Sequence, residues 1–300
     1  MSAVLAFVRL GRPLFLGGGF LLYALGAVIA ALHGHALDWR RYALGQGAVT
    51  AFQWMTHYAN DYFDYDADLA NQTPTRWSGG SGVLRAGELP RKVALIAAIV
   101  LALIGGGLTV AIGVAAGGTA VVTLVAIFAL AWAYSAPPLR LCARGLGELD
   151  TVIVVTGLVP WLAFALQAPD LRGLGVLALA IVPLALLQFA MLLAIELPDA
   201  ASDAATGKRT LIVRLGAERG AQVFVLITTL AYAWLPISSL IGLPTRVVLA
   251  ATAPVPIAAW RISRIADHED PDAFAQLTFF AVFVLVATAL AEVIAVVTLL

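Results

Sequence analysis

The stretch HYANDYFDYDADLAN (residues 57–71) places four aspartates within eight positions, directly after an apolar run. The whole chain is 61% hydrophobic and only 12% charged, with a mean hydropathy of +0.94. A soluble domain carries about 25% charged residues, so this chain has too little polar surface to coat a soluble globule. The composition therefore predicts an integral membrane protein, in which so much negative charge at the end of an apolar helix needs a partner.

Nine apolar stretches are long enough to cross a bilayer, which takes about 20 mostly apolar residues in a helix. They predict an all-α, multi-pass membrane protein with a single domain, residues 1–300. The first stretch exceeds the core of a signal peptide, which spans about 7–15 residues, and is predicted to be a retained span. The eighth contains Pro254 and Pro256, which disfavour a continuous helix. The predicted spans are 14–33, 43–60, 93–113, 118–134, 150–168, 174–197, 221–241, 246–262 and 276–300.

The lysines and arginines are distributed unevenly between the two ends of these spans. If nine spans alternate, 14 of the 18 fall on the side of the N-terminus and 4 on the other. Positively charged loops face the cytoplasm, so the N-terminus is predicted to be cytoplasmic. Three long polar segments, 61–92, 135–149 and 198–220, lie on that side. The active chemistry is thus expected on the cytoplasmic face of a bacterial inner membrane or an archaeal plasma membrane.

The first acidic motif forms a column on a helix. Asn60, Asp64 and Asp68 are four residues apart, beside Asp61, and such positions share one helix face. Like charges at this spacing repel each other. Mg²⁺ prefers oxygen ligands and is commonly held by one or two carboxylates together with substrate phosphates. The column therefore indicates a site for Mg²⁺ and a polyphosphate.

A second acidic motif lies in ELPDAASDAATGKRTLIVRLG, residues 196–216. Asp199 and Asp203 are four apart, and Lys208 and Arg209 follow on a loop. Carboxylates for a metal and basic groups for phosphate thus lie close together in the chain. Each motif also continues a series of residues spaced three or four apart on the helix before it. The two series predict two similar stripes that converge on one place. The stripes are Gln53, His57, Asp61, Asp64 and Asp68, and Gln188, Leu192, Glu196, Asp199 and Asp203.

Several other residues permit two interpretations each. Arg76 and Arg85 flank Gly79–Gly82, whose amides either cradle an anion or form a plain connector. In the middle segment, near Tyr134, Arg140 either points into the site or anchors the span at the lipid headgroups. His57 either touches a substrate ring or bonds to another helix. The single cysteine, Cys142, excludes an internal disulfide and is interpreted as a small filler residue.

These motifs resemble those of the UbiA superfamily of intramembrane prenyltransferases. NDYFDYDAD is similar to the NDxxDxxxD motif of that superfamily, and DAASD with the basic ATGKRTLIVRLG tail is similar to the second DxxxD motif. AYSAPPLRLCARGLGEL resembles the loop between them. The resemblance covers most of the chain and implies a helical bundle around a central cavity that opens sideways to lipid. It also implies two Mg²⁺ ions that bridge a prenyl diphosphate.

The resemblance assigns roles to individual residues. It implies metal ligation by five side chains, Asn60, Asp64, Asp68, Asp199 and Asp203. By position it also matches Asp61 to the first motif, Lys208 and Arg209 to the basic pair after the second motif, and Arg140 to a basic position of the middle loop. From the resemblance and the residue patterns together we expect catalytic roles for Asp64, Asp199, Arg140 and Lys208, and substrate contacts for His57, Asn60, Asp61, Arg76, Arg85, Tyr134 and Arg209. The NDYFDY and GLGEL stretches look most like menaquinone-pathway enzymes, so the expected acceptor is 1,4-dihydroxy-2-naphthoate and the expected reaction is prenyl transfer to an aromatic carbon.

Other functions remain open. On the same fold the acceptor could be 4-hydroxybenzoate, a chlorophyllide, a haem or a lipid glycerol phosphate. A cation transporter would also carry acidic stripes, although here the acids lie at helix ends beside basic residues. A structural membrane protein without catalysis would tolerate loss of Asp64 or Asp199. The formal net charge of zero indicates no nucleic-acid partner, and no obligate protein partner is evident.

Overall fold

The computed structural model describes residues 2–264 and 271–300, and it is built from helices and the turns that join them. The long helices pack side by side as a bundle. Its buried surface is formed mainly by alanine, leucine, valine and isoleucine. In chain order the helices are α1 (Ala3–Leu10), α2 (Leu16–Leu32), α3 (Trp39–Phe63), α4 (Tyr65–Ala70), α5 (Arg91–Ala116), α6 (Gly118–Ser135), α7 (Gly147–Thr151), α8 (Val159–Gln167), α9 (Leu174–Glu196), α10 (Ala200–Ala205), α11 (Leu211–Leu215), α12 (Ala217–Leu240), α13 (Thr245–Ala251), α14 (Val255–Ser263) and α15 (Pro271–Val297).

Short irregular helices connect some of these elements. A 3₁₀ turn, Pro13–Phe15, leads into α2, and another, Leu141–Arg144, follows α6. A π-helix, Val152–Leu158, joins α7 to α8, so that residues 147–167 form one continuous helical segment. The interior of the bundle is assembled by α2 against α8, α3 against α5, and α9 against α12 and α15.

Seven helical segments in the described residues are long and apolar enough to cross a membrane, two fewer than the sequence predicts. The predicted span 43–60 lies within α3, which has the necessary length but carries Gln46, Gln53, His57 and Asn60 among its apolar residues. The predicted span 246–262 is divided into α13 and α14, because the chain turns just before Pro254. Neither half of this segment could cross a bilayer alone.

Both acidic motifs lie at helix ends. Helix α3 ends at Phe63 and α4 begins two residues later. The backbone bonds from Asp64 N to Asn60 O and from Asp68 N to Asp64 O keep the four-residue spacing across this break. Helix α9 likewise ends at Glu196, just before Pro198, and α10 begins after Asp199. We call the end of the bundle formed by residues 61–92, 135–149 and 198–220 the motif face.

Candidate active site

A cavity of about 570 Å³ opens at the motif face and extends into the bundle. Both predicted stripes line it, with the exception of Asp61. The two helices therefore do carry their polar residues to one place, as the spacing predicts. The lining members of the stripes are Gln53, His57, Asp64, Asp68, Gln188, Leu192, Glu196, Asp199 and Asp203.

The carboxylate of Asp64 is the centre of a buried polar cluster. It is 6% exposed, and its Oδ2 accepts hydrogen bonds from Asn60 Nδ2 at 2.8 Å and from Lys208 Nζ at 3.0 Å. Asn60 also donates to Ser135 Oγ at 3.0 Å, which ties the first motif to α6. The other oxygen of Asp64, Oδ1, is buried with no hydrogen-bond partner among the described residues.

Lys208 joins the two motifs. Its ammonium lies 3.0 Å from Asp64 Oδ2 and 3.0 Å from Asp203 Oδ1, and the side chain of Lys208 is only 11% exposed. The turn that positions it is closed by a backbone bond from Lys208 N to Asp203 O at 2.9 Å. One buried cation thus offsets part of the charge of two carboxylates that are distant in sequence.

The loop of residues 71–82 covers the second motif and holds its first aspartate. Asn71 Nδ2 donates to Asp199 Oδ1 at 2.7 Å, and the Gly79 amide donates to Asp199 Oδ2 at 2.9 Å. The same loop donates to Asp61 from the amide and hydroxyl of Ser81. Gly79 and Gly80 both have φ of +72°, a conformation that favours glycine. The amides of Gly79 and Ser81, which the sequence offers as an anion cradle, therefore bind the carboxylates of Asp199 and Asp61.

Burial and mutual repulsion shift the ionisation of these acids. Burial, and then the charge of Asp61, raises the pKa of Asp68 to about 8. Burial and the charge of Asp203 raise the pKa of Asp199 to about 6. Burial also raises the pKa of Asp203, although Lys208 opposes this. Burial lowers the pKa of Lys208, but Asp64 and Asp203 outweigh it, so that its pKa is raised and it stays charged.

The residues present fit a magnesium site of the kind that a substrate completes. In the described part of the chain, no three His, Cys, Asp or Glu side chains converge tightly enough to enclose a metal ion by themselves. Mg²⁺ does not require such a group, since it is commonly held by one or two carboxylates with phosphate oxygens and water. Asp64 Oδ1 has no partner among the described residues, and burial together with the charges of Asp61, Asp64 and Asp199 raises the pKa of Asp68, so a cation would be stabilised between these acids.

Arg12 is a site residue that the sequence interpretation missed. It lines the cavity, its Nε lies 3.6 Å from Asp61 Oδ1, and its guanidinium lies over the ring of Phe15 at 5.8 Å. Asp61 is thus a structural anchor between Arg12 and Ser81, and it does not line the cavity. The sequence signal was only a basic residue between Gly11 and Pro13, where the first span begins.

His57, Tyr134 and Cys142 all line the cavity. The His57 ring lies 5.3 Å from that of Phe15, and its Nε2 has no hydrogen-bond partner among the described residues, so it is free to meet a ligand. Cys142 is buried, as a filler residue would be, and its sulfur lies 4.0 Å from Asp64 Oδ2.

Four predicted basic residues do not line the cavity. Arg76 is exposed and packs on Trp77, and Arg85 donates to the carbonyl of Asn71, which supports the covering loop. Arg209 is exposed, and its backbone carbonyl accepts from Arg214. Arg140 has a φ of +45°, and its Nε is buried without a hydrogen-bond partner in the described residues. The placement of these four long side chains therefore disagrees with the direct substrate contact expected of them.

The cavity also reaches the outer surface of the bundle. Some of its lining residues, from the start of the first span and from α15, are exposed on the outside, where lipid chains would lie. The exposed fraction of these side chains is 40–58%. A long apolar group could therefore enter from the side while a charged head remains at the motif face. These residues are Leu14, Phe279, Phe283, Val286 and Leu290.

Solved structures share this fold. A digeranylgeranylglyceryl phosphate synthase superimposes with a TM-score of 0.65 at 14% identity, covering 99% of this chain and all of its own. A UbiA homologue from Archaeoglobus fulgidus, solved with GPP and Mg²⁺, has a TM-score of 0.63 at 14% identity over 96% of this chain and 99% of its own. The apo UbiA homologue from Aeropyrum pernix K1 has a TM-score of 0.64 at 16% identity over 94% and 96%. At these identities the similarity establishes the fold.

Sequence comparison establishes the family. Digeranylgeranylglyceryl phosphate synthase from Thermococcus kodakarensis is 31% identical over 212 residues, which cover 70% of each chain. This relative lies outside the menaquinone branch that the motifs resemble, so the comparison does not support that finer assignment. The model of the UbiA prenyltransferase family matches residues 20–291, which is nearly the whole chain. The chain therefore belongs to the UbiA prenyltransferase family, and it is a polyprenyltransferase.

Proposed function

We propose that this protein transfers a prenyl chain from a Mg²⁺-bound prenyl diphosphate to 1,4-dihydroxy-2-naphthoate. The observation that carries the reaction type is the meeting of both acidic motifs with Lys208 in one cavity that also opens to lipid. The naphthoate acceptor is supported by the NDYFDY and GLGEL stretches.

The residues for the donor head group follow from the site's charges. Asn60, Asp64 and Asp68 on one side, and Asp199 and Asp203 on the other, would hold Mg²⁺ together with diphosphate oxygens. Bound Mg²⁺ supplies positive charge where the departing diphosphate becomes negative. Lys208, fixed between Asp64 and Asp203, adds a donor to the same group.

The apolar part of the donor needs a different environment. The cavity wall from Val154 and Val155 to Phe283 and Leu290 is apolar and continues to the exposed surface. A prenyl chain would lie along it, and exclusion of water there protects an allylic cation from hydrolysis. His57, Phe15 and Trp77 form a ring cluster at the cavity whose π-faces would stabilise such a cation.

A second acceptor class is favoured by one specific observation. The relative with 31% identity is a digeranylgeranylglyceryl phosphate synthase, so a prenylated glyceryl phosphate is the alternative acceptor. Both acceptors offer a hydroxyl group and an anionic group. We propose, from the charge bias of the loops, that the motif face is cytoplasmic in the plasma membrane of a bacterium or an archaeon.

The test is an assay of the purified protein in lipid nanodiscs with Mg²⁺ and geranyl or geranylgeranyl diphosphate. Dihydroxynaphthoate, 4-hydroxybenzoate and a prenylated glyceryl phosphate are supplied in separate reactions. Prenylated naphthoate, lost on chelation of Mg²⁺, is the expected product. Product from glyceryl phosphate alone would replace the naphthoate assignment with the lipid one. No transfer to any acceptor, together with cation flux in liposomes without a prenyl donor, would overturn prenyl transfer altogether.

A further inference from the structure

Asp150 is a buried carboxylate in the cavity that the donor chemistry does not use. It lies on α7, it is 5% exposed, and it lines the cavity. Its Oδ1 is buried and has no hydrogen-bond partner among the described residues. It belongs to neither acidic stripe.

The cavity-lining residues that follow Asp150 in the chain provide no substitute partner for its Oδ1. The residues that continue the cavity wall from it are Thr151, Val154, Val155 and Val159. The only hydroxyl in this set, Thr151 Oγ1, already donates to the Glu148 carbonyl at 3.0 Å. Lys208 is engaged by Asp64 and Asp203, and Arg12 lies beside Asp61. Leaving a buried carboxylate oxygen unpaired is costly, so the position is explained if a ligand supplies the missing donor.

The chemistry of the substrates decides which ligand does so. A Mg²⁺-bound diphosphate presents only acceptor oxygens, which a carboxylate repels, and a prenyl chain has no polar hydrogen to donate. The acceptor is the remaining substrate, and both proposed acceptor classes carry a hydroxyl group. A hydroxyl that donates to a carboxylate forms a short, charge-assisted hydrogen bond.

We propose that Asp150 binds the acceptor by accepting a hydrogen bond from its hydroxyl group. This inference rests on the proposed function, because it presumes that an acceptor enters the same cavity as the prenyl diphosphate. The π-helix Val152–Leu158, which begins two residues after Asp150, sets the wall against which the body of that acceptor packs. Within this proposal Asp150 marks the part of the cavity wall that holds the acceptor.

The experiment compares wild type with Asp150→Asn, Asp150→Ala and the control Asp170→Asn, which alters an exposed aspartate outside the cavity. The full-length protein in nanodiscs is assayed with Mg²⁺ and geranyl diphosphate, with dihydroxynaphthoate in one arm and a prenylated glyceryl phosphate in the other. In the arm that yields product, Asp150→Ala should raise the KM for the acceptor about ten- to hundredfold, with a smaller rise for Asp150→Asn. The KM for geranyl diphosphate should stay within about twofold of wild type.

Two further measurements do not depend on turnover. Wild type should bind the methyl ether of the acceptor about tenfold more weakly than the free hydroxyl compound, and Asp150→Ala should bind both equally. Binding of Mg²⁺ with inorganic diphosphate, followed by calorimetry, should be unchanged in Asp150→Ala. The thermal unfolding midpoint of Asp150→Ala should equal or exceed that of wild type, because Asp150 Oδ1 has no hydrogen-bond partner among the described residues to lose.

The outcomes separate this inference from the proposed function. Product from wild type with an unchanged acceptor KM in Asp150→Ala overturns the role of Asp150 alone. Loss of Mg²⁺–diphosphate binding in that variant, or failure of both variants to fold, also overturns it, since Asp150 would then serve the donor site or the fold. Failure of wild type to prenylate any acceptor overturns the proposed function and this inference together.

Discussion

Lys208 and Asp64, 144 residues apart in the chain, form a buried ion pair of 3.0 Å. Asp203 shares the same ammonium at 3.0 Å, so the pair also fixes the second motif against the first. A protein side chain thus joins the two motifs and fixes charge at the site. Such preorganised charge is the main way in which a protein stabilises a developing anion.

Replacement of Lys208 by methionine should remove both the ion pairs and a donor to the diphosphate. We expect kcat/KM to fall at least about a hundredfold, because this charge acts on the leaving group. The metal-free protein should also unfold at a lower temperature, since loss of one partner from a buried pair leaves carboxylates unpaired and costs about 3–5 kcal/mol. Steady-state kinetics and thermal unfolding measure the two effects.

The control for this change is Lys92→Met, which removes an exposed lysine at the start of α5. It should alter neither quantity appreciably. Normal activity in Lys208→Met would show that Lys208 serves only to hold the motifs together.

Asp64→Asn and Asp199→Asn should each abolish turnover while the protein still accumulates in the membrane. Each carboxylate belongs to a different motif and lines the same cavity, so one substitution per motif tests whether both are needed. We expect losses of at least about a thousandfold, because the charge that counters the leaving diphosphate is lost. Product assays and membrane protein yield, compared with Asp170→Asn, measure this. Near-normal turnover in Asp64→Asn would contradict the shared site.

The site could be predicted from sequence where it depends on helical periodicity. Residues three and four apart share one face of a helix, and both stripes, except Asp61, line one cavity. Asp61 departs because Ser81 and Arg12, which are remote in the chain, hold its carboxylate away from the cavity. Periodicity cannot reveal such partners.

The loops and the weak spans mark the limit of that reasoning. Arg76 and Arg85 flank the glycine run and Arg209 follows the second motif, which predicts substrate contacts, but a long side chain on a loop can point to either side. Asn71, which had no sequence signal, contacts Asp199 instead. The segment 246–262 is apolar enough on average, yet the chain turns before Pro254 and divides it. Average hydropathy does not detect where a helix is interrupted.

Gly80→Ala should damage the covering loop. A Cβ on Gly80 would collide with the Asp68 carboxylate, so either the loop or this carboxylate must move. Because Asp68 is a proposed metal ligand, we expect weaker Mg²⁺–diphosphate binding and lower activity, by about tenfold or more. Calorimetry with Mg²⁺ and inorganic diphosphate measures the binding directly.

Gly82→Ala is the matched control for Gly80→Ala. Gly82 has a φ of +76°, close to that of Gly80, but a Cβ there would meet nothing within 4 Å. Both substitutions carry a backbone strain of about 1–2 kcal/mol, and only Gly80→Ala adds the collision. Equal loss of metal binding in the two variants would mean that strain in the loop, and not displacement of Asp68, is responsible.

The apparent affinity for Mg²⁺ should rise with pH. Metal binding requires deprotonated carboxylates, and the pKa values of Asp68 and Asp199 are raised to about 8 and about 6. Affinity should therefore gain about tenfold per pH unit between pH 6 and 8, gain more steeply below pH 6, and level off above pH 8. Mg²⁺ titrations from pH 5.5 to 9 measure this dependence, with inorganic diphosphate present throughout.

Asp68→Asn separates the protein's protons from those of diphosphate. The variant should bind Mg²⁺ more weakly at pH 9, and its affinity should no longer rise between pH 6 and 8. Protonation of diphosphate is the same for both proteins.

The folding stability of the protein without Mg²⁺ should change with pH in the opposite direction, and fall as the pH rises. The pKa of Asp68 is raised above its ordinary value of 3.8, so the folded state binds the proton of this carboxyl more tightly than the unfolded state does. The stability that this proton contributes to the folded state is fully present below about pH 4. This stability is lost as the pH rises through about 8. In Asp68→Asn the thermal unfolding midpoint should therefore depend less on pH than in wild type. An unchanged dependence in the variant would mean that Asp68 is already ionised at neutral pH, and that another group sets the pH dependence of metal binding.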